Sequence, residues 1–407
     1  MPRARCCLAA GAAALLLAGC GSGGGGQPTW QPSPGFGRNG EGPGVQLTPV
    51  IPQPSFPPRS NGGGAPNGGG RIPQPSGTSG KAVSPVVAKH LQVPVGLAMM
   101  PDNSALVGER TTGRIVRVQP KPDQPVPTVR TLTGLDTSGD GGLLDLALSP
   151  AYDEDNLIYA YITTRTDNRV VAFTLKGPVT PVLTGIPKGK TGNTGRIAFG
   201  TRRTLYIGTG DAGRPSRALD PKSLAGKVLR VTDIGRPAPG NPRASSPVWT
   251  TGHHVVDGLC PVVGTTSALE VETGRPGESE VNVLAGGDYY GWPTSAGTIH
   301  PPVRALPTGD PVPGGCAVAE GTMYVTSLDG RALLSARVSG AGTSTAVGAF
   351  TALLRNKFGR LKTVVAAQDG ALWLTTSNRD GKGKPVADDE RVIRYLPPRS
   401  GGGKNPA

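Results

Sequence analysis

From residue 83 onward the chain alternates short apolar runs with polar turns. Ile197-Ala198-Phe199 and Leu205-Tyr206-Ile207 are the clearest pair, joined by a polar turn and followed by the glycine-flanked Asp211. Runs this short, bounded by turn residues, predict a β-hairpin that delivers one carboxylate to a loop. No stretch carries a helical period of apolar residues, so the pattern predicts strands throughout.

The hairpin recurs. Residues 96–118, 143–175, 195–231, 258–284, 316–338 and 361–396 each hold apolar runs separated by polar turns, with a Gly-Arg, Asn-Arg or similar step into a further run. The fourth copy is the weakest. The copies are spaced about 45 to 60 residues apart, and strand-rich repeats of that length are the signature of a β-propeller. One small sheet cannot bury both its faces, so neighbouring sheets must stack radially. The pattern therefore predicts an all-β, six-bladed β-propeller of four-stranded antiparallel blades over residues 83–398. Its ligand sites are expected on loops around the central channel.

The N-terminal fifth of the chain reads differently. Residues 1–20 begin with Arg3 and Arg5, continue through a short apolar stretch, and end in Leu17-Ala18-Gly19-Cys20. The apolar stretch is too short to span a bilayer, and small residues before a cysteine fit a lipoprotein signal peptide with lipid attached at Cys20. In residues 21–82 about half the positions are Gly or Pro, too few apolar groups to offset the entropy of ordering, which predicts a disordered tether. Residues 399–407 read as a disordered tail. A lipid-anchored protein on the extracytoplasmic face of the cell membrane is the expectation, with the membrane met through the anchor alone.

Composition narrows the chemistry. Of five cysteines, Cys6 and Cys7 leave with the signal and Cys20 carries lipid, leaving Cys260 and Cys316. Outside the cytoplasm a disulfide between them is expected, the alternative being two buried thiols. With 42 Lys and Arg against 28 Asp and Glu, the formal charge is +14. No basic run is interleaved with aromatics, which argues against nucleic acid. A basic surface suits anionic envelope polymers or lipids. No Ser/His/Asp set with elbow spacing and no phosphate-cradling glycine loop is present.

Seven segments in order resemble the soluble PQQ-dependent glucose/sorbosone dehydrogenase family. They are VPVGLAMMPDNSALVGERTTGRIVRV from Val93, GGLLDLALSPAY from Gly141, GRIAFGTRRTLYIGTGDAG from Gly195, LAGKVLRV from Leu224, GHHVVDGL from Gly252, ESEVNVLAGGDYYGWP from Glu278 and FGRLKTVVAAQDGALWLTTSNRDG from Phe358. The N-terminal wording is similar to actinobacterial lipoproteins of that family. The resemblance implies a six-bladed propeller on which PQQ lies over the channel mouth with calcium. A histidine takes the proton of the sugar hydroxyl, an aspartate orients it, and hydride passes to the cofactor.

Position by position, the orienting aspartate matches Asp211, but the histidine falls on Gly192, which cannot accept a proton. Among cofactor-holding positions, the glutamine falls on Asp140, a lysine on Asp329 and an asparagine on Val255. Of two arginines, one is kept as Arg360 and the other becomes Lys362. A further arginine is replaced by His254, a candidate substitute base. A structural calcium is implied at Glu280 and Tyr290, while Arg275, inserted between Gly274 and Pro276, interrupts the backbone step implied for the cofactor-side calcium. Asp136 to Gly141 looks like a calcium loop but lacks its final bidentate acid and reads as a turn. Losing a general base costs about 10²- to 10⁴-fold. The expectation is a monomeric protein that binds a carbohydrate or cell-envelope component with the dehydrogenase site degenerate. The alternatives are an active PQQ- and calcium-dependent sugar dehydrogenase with a rearranged site, and a non-catalytic interaction platform.

Overall fold

A computed structural model describes residues 84–262, 268–275, 277–309 and 312–398. Cys20, the glycine-rich segment and the C-terminal tail lie outside the described residues. The described residues form a six-bladed β-propeller of antiparallel sheets, with one short α-helix at Tyr152–Asp155. The innermost strands, one per blade, are Pro94–Met99, Leu143–Leu148, Gly195–Phe199, Val255–Pro261, Pro313–Ala319 and Leu361–Ala366. Each packs against its neighbours, and the last packs against the first, so the ring closes. Numbering blades by these strands, blades one to four are sequential four-stranded meanders, and blade five carries an additional short strand at Thr351–Leu353.

Blade six contains three strands from the end of the sequence and a fourth, Val86–Ala88, from the start of the described chain. Joining both ends of the domain in one sheet completes the sixth blade and fastens the ring at the seam. Val86–Ala88 precedes the first repeat copy at Gly96, which is why counting repeats does not reveal it.

Six apolar clusters hold the ring, one at each junction between adjacent blades. Leu143, Leu146 and Phe173 pack with Leu106 and Ile115 between blades one and two. Trp373 packs with Leu97 and Val107 where blade six meets blade one. This is the radial stacking the repeat requires: each sheet face is buried by its neighbour. The hairpin at 195–209 forms in the register Ile197 opposite Ile207. Gly195 allows it to sit close to blade two, since a Cβ there would lie 2.0 Å from the Tyr161 ring. Cys260 and Cys316 form a disulfide between the inner strands of blades four and five, with Cα atoms 5.9 Å apart.

Candidate functional site at the channel mouth

The channel has two unlike ends. One is a cavity of about 320 Å³ lined largely by apolar inner-strand residues, among them Leu97, Leu146, Ile197, Leu259 and Val364. The other is a mouth of about 460 Å³ lined by Arg110, Asp140, Arg196, Asp257, Arg360, Lys362, Arg379, Asp380 and Lys382 among others. Arg196 borders both. From blade three its Nε donates to Asp257 O at 2.7 Å, Nη1 to Thr363 Oγ1 at 3.4 Å and Nη2 to Gly314 O, and Nη1 lies 3.8 Å from Asp145 Oδ1. One guanidinium therefore ties five blades at the neck of the channel.

Burial pushes Asp145 up to about 6, against the opposing pull of Arg196. Asp257 is also raised by burial, with Lys362 pulling the other way. Lys362 lies 4.0 Å from Asp257 and is held down to about 8, first by burial and then by Arg196. The neck is thus a set of buried charges of both signs, each with an opposite charge in reach.

The residues that the resemblance marks as catalytic lie to one side of this mouth. Asp211 is buried at the end of its hairpin. Its Oδ1 accepts from Gly213 N at 2.8 Å and its Oδ2 from Trp292 Nε1 at 3.1 Å. His254 Nε2 lies 3.9 Å from Asp211 Oδ2, beyond hydrogen-bond reach, and its ring stacks on Trp292 with centroids 3.9 Å apart. His254 Nδ1 is 2.9 Å from Gly274 O, so Nδ1 carries the proton and Nε2 is left as the basic nitrogen. Neither Asp211 nor His254 lines the mouth cavity. Gly192 has φ of +68°, and a Cβ added there would lie 2.9 Å from Asp211 Oδ1 and 3.0 Å from Gly213 N. The backbone has closed over the place where a side chain would begin.

The cofactor-holding side is altered by charge pairing. Arg360 donates to Asp329 through Nη1 and to Asp380 through Nε at 2.8 Å. Both faces of the retained guanidinium are thus committed to carboxylates. Asp140 accepts from the backbone and side chain of Asn193. Of the positions the resemblance marks, the one kept arginine is thus paired with two acids, while Arg110, Arg196, Lys362, Arg379 and Lys382 also line the mouth.

Both members of the implied calcium pair have hydrogen-bond partners within the protein. Tyr290 Oη donates to Val283 O at 2.7 Å and accepts from Ala285 N at 2.9 Å, and its ring stacks on His253. Glu280 accepts from Asn282 Nδ2 at 3.2 Å. Asp136 caps its own turn through Ser138 N and pairs with Lys188. Arg275 reaches the carbonyls of Gly291 and Pro293. Sequence reasoning gave no role to Arg196, Trp292, Glu270 or Glu272. Glu270 and Glu272 had a visible signal: two acids at alternate positions of a strand that also holds Ala268, Leu269, Val271 and Thr273.

A six-bladed propeller with a charged mouth and an aspartate presented beside it has the architecture of a dehydrogenase-like propeller. The glucose/sorbosone dehydrogenase family profile matches residues 91–387, and the chain belongs to that family. It is similar to quinoprotein glucose dehydrogenase B of Acinetobacter calcoaceticus, with 30% identity over 52% of this chain and 52% of the relative. To the aldose sugar dehydrogenase of Escherichia coli K12 it is 27% identical, over 53% and 62% of the two chains. The structure is also similar to the PQQ-bound aldose sugar dehydrogenase of Streptomyces coelicolor, with 38% identity, a TM-score of 0.72, and coverage of 77% of this chain and 97% of that one. The chain spans about half the length of the first of these curated relatives.

Proposed function

We propose that this protein is an envelope lipoprotein, lipid-anchored through Cys20 on the extracytoplasmic face. Its propeller binds a carbohydrate or envelope component at the channel mouth without PQQ turnover. One observation carries this reading: the position that the resemblance gives to the base is Gly192, where even a Cβ would crowd Asp211 and Gly213. The pairing of Arg360 with Asp329 and Asp380 supports it, since an anionic cofactor would have to compete with two carboxylates for that guanidinium. The mixed charges of the mouth suit a hydroxyl-rich ligand, which both donates and accepts.

A second reading, an active sugar dehydrogenase with a rearranged site, is favoured by the 38% identity to a PQQ-bound aldose sugar dehydrogenase and by His254 facing Asp211. One experiment separates the two. The detergent-extracted chain, whose membrane partitioning is expected to be lost in Cys20→Ser, is titrated with PQQ and Ca²⁺ and assayed for aldose oxidation with an artificial acceptor. No saturable PQQ binding and no turnover are expected. Turnover that disappears in His254→Ala would replace the first reading with the second. A glycan array follows, on which binding supports the carbohydrate ligand and silence leaves a protein-interaction platform.

A further inference from the structure

Blade four holds a group of buried acids that the channel mouth does not use. Glu270 and Glu272 lie at alternate positions of the strand Ala268–Thr273, so they share one face. Directly opposite on Ser279–Val283, Asn282 pairs with Glu270 and Glu280 with Glu272. His253 closes the group from the segment entering blade four. The side chains of His253, Glu270 and Glu272 are all but inaccessible to solvent. His253 Nδ1 lies 3.3 Å from Glu272 Oε2 and 4.0 Å from Glu270 Oε1, and one ligand atom from each of the three falls within 4.8 Å of the others.

Two buried atoms here lack partners. Glu270 Oε1 and Asn282 Oδ1 make no hydrogen bond. Asn282 belongs to the same face, its Nδ2 donating to Glu270 Oε2 at 3.0 Å. A buried carboxylate oxygen without a donor is costly unless a cation faces it. Burial and the neighbouring acids push both glutamates well above the usual carboxylate range.

We propose that His253, Glu270 and Glu272 bind one divalent transition-metal ion of the Zn²⁺ class, buried in blade four. Ligand chemistry selects the ion: a neutral imidazole with carboxylates suits zinc and its neighbours, whereas Ca²⁺ takes oxygens alone. A tetrahedral ion with bonds of about 2.0–2.1 Å sets ligand atoms about 3.3 Å apart; the His253–Glu272 pair already has that spacing, and Glu270, 4.0 Å from His253, would have to draw in to complete it. Two carboxylates, a neutral imidazole and a dication sum to zero charge, which a dry interior tolerates. The outer contacts also fit: Thr250 Oγ1 lies 2.8 Å from His253 Nε2, so it holds that N–H and turns Nδ1 toward the acids. The backbone N of His254 donates to Glu272 Oε2 at 3.3 Å, so the ion would brace the segment that carries His254. This set differs from the calcium pair that the family resemblance implies, whose tyrosine hydroxyl is engaged with the backbone on both sides.

The test uses the full chain after exhaustive chelation, titrated separately with Zn²⁺ and Ca²⁺ by calorimetry and followed by thermal unfolding. One equivalent of Zn²⁺ is expected, with a raised unfolding temperature and an affinity at least about 100-fold above that for Ca²⁺. Glu270→Gln keeps the shape and should weaken Zn²⁺ by about 100-fold or more. Its cooperative unfolding in chelator verifies that it folds. Co²⁺ in place of Zn²⁺ should show the visible bands of a low-coordinate site with a nitrogen ligand. Absence of saturable Zn²⁺ binding overturns the proposal. So does Ca²⁺ binding that exceeds Zn²⁺ and is unchanged in Glu270→Gln. Neither result depends on whether the mouth binds PQQ or a glycan.

Discussion

The channel neck and blade four each bury a pair of carboxylates, and they solve the problem in opposite ways. At the channel neck Asp145 and Asp257 face Arg196 and Lys362, so each acid has a fixed cation in reach. In blade four Glu270 and Glu272 face each other, Glu280 and a neutral imidazole. Lys227 is close enough to help depress His253, yet its ammonium spends its donors on the carbonyls of Arg217, Ala218 and Ala225. The neck carries its counter-charge in its own side chains, and the blade-four group needs one from outside. That contrast separates a structural ion-pair cluster from a metal site, although both are buried, acidic and built on neighbouring strands.

The comparison breaks most severely at the neck. Arg196→Met removes donors to Asp257 O, Gly314 O and Thr363 and leaves Asp145 buried with its nearest cation gone. Removing one partner of a buried pair costs about 3–5 kcal/mol. Denaturant unfolding should show a loss of that size at an unchanged slope. A loss under about 1 kcal/mol would mean that the neck is wetter and more forgiving than its burial implies. The same substitution should leave Zn²⁺ binding in blade four intact.

The next effect is one of pH. Glu270 and Glu272 have folded pKa values raised above the unfolded value of 4.5. The folded state therefore holds protons that the unfolded state releases, and this contribution to stability is complete below the unfolded value. It is lost as pH rises toward the folded values, by at most about 1.4 kcal/mol per pH unit for each group. Asp145 adds a similar loss between 3.8 and about 6. In chelator, stability should fall as pH rises above the unfolded value of 4.5. Saturating Zn²⁺ should flatten the slope, and Glu270→Gln should reduce it. A flat profile in chelator would show that the glutamates ionise without cost.

Much of the fold is legible in the sequence because a propeller repeats its physics. Each copy must present apolar residues to both neighbours, and alternating runs such as Ile197 to Phe199 record that directly. The seam is not legible, because Val86–Ala88 pairs with Val392–Tyr395 across the whole domain and carries no repeat of its own. At the mouth, the sequence displays the charge reversal at Asp329 but not its consequence, which is that Arg360 turns to meet it. Nor does it show that Asp211 is occupied by Trp292, 81 positions away, since that contact depends on how blades three and four meet. Glu270 and Glu272 were readable as anomalous acids on an apolar strand. Their convergence with His253 needed the register that sets Asn282 and Glu280 opposite them.

The finest test of the contrast lies in a single hydroxyl. If His253 ligates through Nδ1, its Nε2 must carry the proton, and Thr250 Oγ1 is the acceptor that fixes it. Thr250→Val keeps the volume and removes that acceptor, leaving a buried N–H unsatisfied. The expected loss is about 1 kcal/mol of stability and about tenfold in Zn²⁺ affinity. Thr250→Ser, which restores the oxygen, should recover most of both. A structural role alone would move stability in chelator while leaving the Zn²⁺ affinity where it was. Loss of affinity with rescue by serine therefore reports on the ligand itself. Unchanged affinity in Thr250→Val would mean that the acids of blade four are held by shared protons, and that the two buried clusters differ in geometry but not in kind.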